Sequence, residues 1–138
     1  MNSSPRPLAI VSGGSRGLGY ESARGLAARG YDLALIAKDP AGLNSAKEQL
    51  LSEFSATQPG LSITTHPADL ENQEITRKVA EEISASLPTA QVMVLAHGVM
   101  SEKMSKTLKT NDAEWRRVMA INLDSVFQLV NGIAPAMA

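Results

Sequence analysis

Gly13, Gly17 and Gly19 fall within one short turn, Ser12-Gly13-Gly14-Ser15-Arg16-Gly17-Leu18-Gly19, between the apolar run Leu8–Ser12 and a helical pattern that closes on Gly30. Such a turn restricts what can follow it. Gly13 permits a tight exit from a strand, Gly17 lets backbone N–H groups approach a ligand, and Gly19 removes the side chain that would hold helix and sheet apart. The helix N-terminus that results faces an anion, such as a pyrophosphate. A GxGxxG-like spacing is weak alone, but here it lies between strand and helix signals, the context that gives it meaning. No Gly-Lys-Ser/Thr follows, so the lysine and hydroxyl of a Walker A loop are missing.

The rest of the chain continues the alternation. Leu8–Ser12, Asp32–Ala37, Leu61–Thr65 and Val92–Ala96 are short segments, three of them strongly apolar, as expected of strands covered on both faces. Between them, Leu18, Ala23, Leu26 and Ala27 form one helical stripe, and Ile75, Val79, Ile83 and Leu87 another before Pro88. Asp39-Pro40 reads as N-cap and first helical residue, and Asn111 with Glu114 as a capping box opening a helix over Asp112–Ala138. The order βαβαβαβα predicts an α/β fold, a Rossmann-like doubly wound parallel sheet in the order 3-2-1-4 with right-handed crossovers. The 138 residues suffice for one such domain, and no linker or internal repeat divides them.

Composition narrows the function classes. Thirteen basic and fourteen acidic residues give a net charge of -1, so no whole-chain positive field attracts nucleic acid or an anionic membrane. The absence of cysteine excludes disulfides, a thiolate nucleophile and cysteine-ligated metals, and His66 and His97 make a poor metal centre, so no metal site is expected. The opening Met1–Pro7 and the short run after it do not form a signal peptide, and no stretch approaches the roughly 18 apolar residues of a spanning helix. A soluble, cytoplasmic protein is expected. Lys103, Lys106 and Lys109 read as a solvated face rather than a binding patch.

The turn, with its GxxxGxG spacing and Ser12 in place of the usual Thr, resembles that of the short-chain dehydrogenase/reductase family. So do Asp69-Leu70 after the third strand, the WRRVMAIN segment from Trp115 to Asn122, and Pro135 beyond it. The resemblance spans Leu8–Ala138. It implies a dinucleotide bound by Ser12, Gly13, Ser15, Arg16, Gly17, Leu18 and Gly19 in the turn, by Asp69 and Leu70 at the adenine, and by Ala96 and Gly98 after the fourth strand. It also implies that Asn122 takes part in a proton relay, at a helix kink that exposes a carbonyl.

Cofactor choice follows from charge. The second strand ends Ile36-Ala37-Lys38, so the acid that would bind a ribose 2′-OH is absent, while Arg16 and Lys38 could bracket a 2′-phosphate. NADP(H) is therefore expected over NAD(H), with Asp39 read as a helix cap.

Two departures from the family pattern stand out. Leu95-Ala96-His97-Gly98 replaces the family's NNAG motif, a change read here as a tolerated substitution at a strand end, with a polar contact to the ligand as the other reading. His66 reads as a satisfied strand-end histidine. The family's YxxxK arrangement is also missing: Tyr20 is followed by Arg24, and Tyr31 by Leu35. The chain thus reads as the N-terminal half of an oxidoreductase acting on a small carbonyl or alcohol, without turnover of its own. The alternative is a non-catalytic dinucleotide-binding module. The apolar fourth strand, together with Val118, Ile121, Val126, Leu129 and Ile133, predicts surface that only self-association or further chain would cover, so a homo-oligomer is expected.

Overall fold

The computed structural model of the chain describes residues 5–101 and 106–138, and Lys103 lies outside them. Four parallel strands, β1 (Leu8–Ser12), β2 (Asp32–Ala37), β3 (Ile63–Pro67) and β4 (Ala90–Leu95), form one sheet in the order β3-β2-β1-β4. This is the doubly wound α/β arrangement expected from the alternation of elements.

The central strands are apolar throughout because each face meets a different helix layer. Along β1 and β2, Leu8, Ile10, Ala34 and Ile36 pack with Val79, Ile83, Leu129 and Ile133 on one side of the sheet. Their neighbours Ala9, Val11, Leu33 and Leu35 pack with Ala23, Ala27, Leu43 and Leu50 on the other. Period-two alternation within an apolar run therefore appears as two cores instead of a wet and a dry face. Burial of each large side chain contributes about 1.5–3 kcal/mol.

Helices α1 (Gly17–Ala28) and α2 (Pro40–Glu53) cover the second face, and α3 (Gln73–Ser86) and α5 (Ser125–Met137) cover the first. The cap residues read from sequence act as caps: Asp39 accepts from the amides of Ala41 and Gly42, and Asn111 from that of Glu114; Asn72, not singled out in the sequence, caps α3 in the same way through the Ile75 amide. Gly30, at φ 89°, ends α1 with its amide on the carbonyl of Ala27. The helices α3 and α5 approach closely at Gly132, where an added Cβ would come within 2.8 Å of that of Ala80.

Three elements differ from expectation. β3 starts two residues later, at Ile63, because Leu61 and Ser62 are held in the preceding turn by the carbonyl of Gln58 and the carboxylate of Asp32. It can end on Pro67 because it is an edge strand, bonded only to β2. β4 starts two residues earlier, at Ala90, and its pairing with β1 skips Gln91.

The long C-terminal helix is not continuous. α4 (Asp112–Met119) passes into a π-turn, Ala120–Asp124, in which the Ser125 amide bonds the carbonyl of Ala120, and α5 resumes from there. Because the π-turn changes the phase of the helix, Leu129 and Ile133, expected to lie uncovered, pack against α3, while Trp115, Leu123, Phe127 and Val130 are exposed. Among the described residues, no helix is long and apolar enough to cross a membrane.

Candidate dinucleotide cleft

At the carboxyl ends of the strands lies a cleft of about 1050 Å³, just above the range of roughly 300–1,000 Å³ usual for ligand sites. Its floor is the glycine-rich turn. Gly13, at φ 67°, runs so close to the end of β4 that a Cβ there would lie 2.8 Å from the amide nitrogen of His97. Gly19 is tighter still, since its Cβ would fall 2.0 Å from the carbonyl oxygen of Gly13, so only glycine lets α1 begin directly beneath the turn. Gly17, at φ 58°, has open space where its side chain would be. That opening faces the N-terminus of α1, whose N-cap Arg16 makes no side-chain cap bond, in contrast to Asp39, Asn72 and Asn111 on α2, α3 and α4. Uncapped first-turn amides beside an open concavity fit an anionic ligand.

Most of the residues singled out in the sequence converge here. Gly13, Ser15, Arg16, Gly17, Leu18, Lys38, Asp69, Leu70, Ala96 and Gly98 all line the cleft. Ser12 and Gly19 lie behind it, Ser12 fully buried and Gly19 packed under the turn. Lys38 is largely exposed, its ammonium 3.7 Å from a carboxylate oxygen of Asp69, a loose pair that leaves the cation available. The other oxygen of Asp69 accepts from the Glu71 amide. Asp39, also at the rim, has both carboxylate oxygens engaged in capping α2.

Asn122 stands beside the cleft. Its side-chain amide is taken up by Val99, with Oδ1 accepting from the Val99 amide at 2.8 Å and Nδ2 donating to the Val99 carbonyl at 2.8 Å. It lies within the π-turn, so a helical irregularity does occur at this residue.

Sequence reasoning missed how His97 is used. Its Nδ1 lies 2.6 Å from Ser12 Oγ, and its Nε2 lies 2.6 Å from Ser125 Oγ and 3.1 Å from the carbonyl oxygen of Ile121. Burial holds its pKa below 6.5, against a smaller opposing effect of the Ile121 carbonyl. The substitution at the strand end thus brings a network with it. Ser12 was visible as a departure in the turn, but nothing in the local sequence links it to Ser125. His66 is satisfied as expected, with Nε2 2.8 Å from Thr64 Oγ1. Neither tyrosine lines the cleft: Tyr20 packs beside Glu53 and Arg24, its pKa raised chiefly by burial, and Tyr31 packs against the α1 and α2 side of the sheet. The cleft also takes in Ser45 and Gln49 from α2, which the sequence reading did not include.

The family model of short chain dehydrogenase matches residues 7–138. Galactitol 2-dehydrogenase (L-tagatose-forming) of Cereibacter sphaeroides is 32% identical over 129 residues, covering 94% of this chain and 46% of that protein. The 3-oxoacyl-acyl-carrier-protein reductase of Escherichia coli is 31% identical over 131 residues, covering 94% and 49%. The chain therefore spans about half the length of the curated relatives it matches. Among solved structures, a metagenomic short-chain oxidoreductase in complex with NADP superposes with a TM-score of 0.84 at 27% identity, covering 95% of this chain and 56% of that one.

Proposed function

The chain belongs to the short-chain dehydrogenase family, and on that premise we propose that it forms the cofactor-binding part of an NADP(H)-dependent oxidoreductase interconverting a small carbonyl and an alcohol. The observation that carries this reading is the convergence of the uncapped α1 N-terminus, the open face at Gly17 and two exposed cations, Arg16 and Lys38, on one cleft. In it the turn residues Gly13–Leu18 bind the pyrophosphate, Ser12 and Gly19 set the shape of the turn from behind, Asp69 and Leu70 hold the adenine, and Ala96 and Gly98 close the floor. Arg16 and Lys38 bind the 2′-phosphate. Ala37 leaves the competing acid position empty, and Asp39 is occupied with capping α2. When bound, the dinucleotide would supply the hydride. Asn122 belongs to the proton relay, and its grip on Val99 holds the segment after β4 in place.

Titration with NADPH and with NADH tests the cofactor assignment. Tighter binding of NADPH is expected, and equal affinity would overturn it.

A second reading concerns this chain alone. No tyrosine lines the cleft, and the raised pKa of Tyr20 is the opposite of what a proton donor to an alkoxide at neutral pH requires. On this reading the chain binds dinucleotide without turnover, and the complete activity needs a proton donor from elsewhere, in a longer protein or an oligomer. Multiple turnovers of carbonyl reduction by this chain with excess NADPH would overturn it.

A further inference from the structure

We infer that His97 is a positioning residue that locks the glycine-rich turn to the π-turn bearing Asn122, through a single directed chain of hydrogen bonds along the wall of the cleft, which His97 and Ile121 line and behind which Ser12 and Ser125 are buried. The donors can be counted. The Ile121 carbonyl can only accept, and it lies 3.1 Å from His97 Nε2 and 2.5 Å from Ser125 Oγ, so it meets a hydrogen from both neighbours only when Nε2 is protonated and Ser125 donates to it. In that arrangement the 2.6 Å contact between Ser125 Oγ and His97 Nε2 is an Nε2–H donating to the hydroxyl oxygen. A neutral ring protonated on Nε2 has its lone pair on Nδ1, and Ser12 Oγ, 2.6 Å away, donates to it. The chain then reads Ser12 O–H to Nδ1, Nε2–H to Ser125 Oγ, Ser125 O–H to the Ile121 carbonyl, with each hydrogen used once. The other tautomer reverses the direction and leaves the Nε2 lone pair facing the Ile121 oxygen at 3.1 Å.

Both serines are fully buried, so neither hydroxyl has water to fall back on. The connection joins parts of the site that are remote in sequence. Ser12 immediately precedes Gly13, and its carbonyl also accepts from the Ala96 amide at 3.1 Å. Ile121 and Ser125 flank Asn122, whose amide clasps Val99, two residues beyond His97. One imidazole thus ties the phosphate-binding turn on β1 to the irregular turn on the opposite wall of the cleft, where a small residue could not reach either serine.

Two conservative variants separate the arms. His97→Asn places an amide near the Nδ1 position and keeps the Ser12 contact. His97→Gln reaches the Nε2 position and keeps the Ser125 contact. Nitrogen-15 spectroscopy of the ring in the unmodified chain should show Nε2 protonated and Nδ1 bare at neutral pH. His97→Asn should retain NADPH affinity while hydrogen exchange of the Val99 amide accelerates about tenfold, the change that corresponds to about 1.4 kcal/mol. His97→Gln should do the reverse, weakening NADPH about tenfold with Val99 exchange near its original rate. A ring protonated on Nδ1, two variants indistinguishable from the parent, or equal losses in both readouts for both variants would each overturn the inference. Only the affinity arm rests on the proposed cofactor cleft. If the unmodified chain bound no NADPH, the cofactor reading would fail, and the tautomer and exchange measurements would still decide the role of His97.

Discussion

Ser12 Oγ and His97 Nδ1 lie 2.6 Å apart across 85 residues of sequence, joining the carboxyl end of β1 to the residues that follow β4. Because burial holds the imidazole below its unfolded pKa of 6.5, the unfolded chain binds the proton more readily than the folded one. The stability carried by the neutral ring is complete above pH 6.5 and is lost as the pH falls from there through the lowered folded value. His66, lowered mainly by burial with Glu82 opposing, acts with the same sign. Melting temperature should therefore decline on acidification below pH 6.5, and His97→Asn should flatten that decline. An unchanged slope in the variant would show that His97 is not one of the linked groups.

Gly19 and Gly17 should respond to alanine for different reasons. At Gly19 the new methyl meets the Gly13 carbonyl at 2.0 Å, a backbone contact that no rotamer relieves, so Gly19→Ala should cost about 3 kcal/mol, at the upper end of overpacking, and disrupt the turn. At Gly17 there is space but φ is 58°, so the cost is the left-handed backbone penalty of about 1–2 kcal/mol. Gly17→Ala should fold and still lose NADPH affinity, because its methyl projects into the open cleft. Denaturant unfolding of both variants, with titration of the second, measures the difference.

Asn122→Ala removes two 2.8 Å bonds to Val99. At about 0.5–1.5 kcal/mol each, and toward the low end for an exposed residue, the expected loss is about 1–2 kcal/mol. Exchange protection of the Val99 amide should fall while β1 and β2 keep theirs. Loss of protection throughout the sheet would indicate a global effect.

Arg16→Ala and Lys38→Ala should each weaken NADPH about tenfold, the low end for a charge-assisted contact at an exposed site, and leave NADH nearly unchanged. Raising the salt concentration should narrow the gap between the two cofactors in the parent chain. Parallel losses for both cofactors would point to the pyrophosphate in place of the 2′-phosphate.

The elements most legible in the sequence were those governed by local chemistry. β1 and β2 match their expected bounds because both faces of each are covered, and Asp39 and Asn111 cap because the groups they satisfy lie two or three residues away. The mixed strand β3 was misplaced by two residues because its start depends on Asp32, a long-range partner of the Ser62 amide. The π-turn is legible in the sequence only as an expected kink at Asn122, and Leu129 and Ile133, expected to need cover from an element beyond β4, are instead covered by α3. Within the site, the turn and the cations were readable from spacing and charge. The Ser12–His97–Ser125 connection was not, because it joins three side chains that only the folded sheet brings together.

The claim that this cleft is a dinucleotide site is tested most directly by mapping backbone amide shifts of the labelled chain during titration with NADPH. The account predicts saturable shifts at Gly13–Leu18, Lys38, Asp69 and Ala96–Val99, with Ser84, Leu87 and Ala90 at the other end of the sheet unaffected. Shifts confined to that other end, or none at millimolar NADPH, would contradict it.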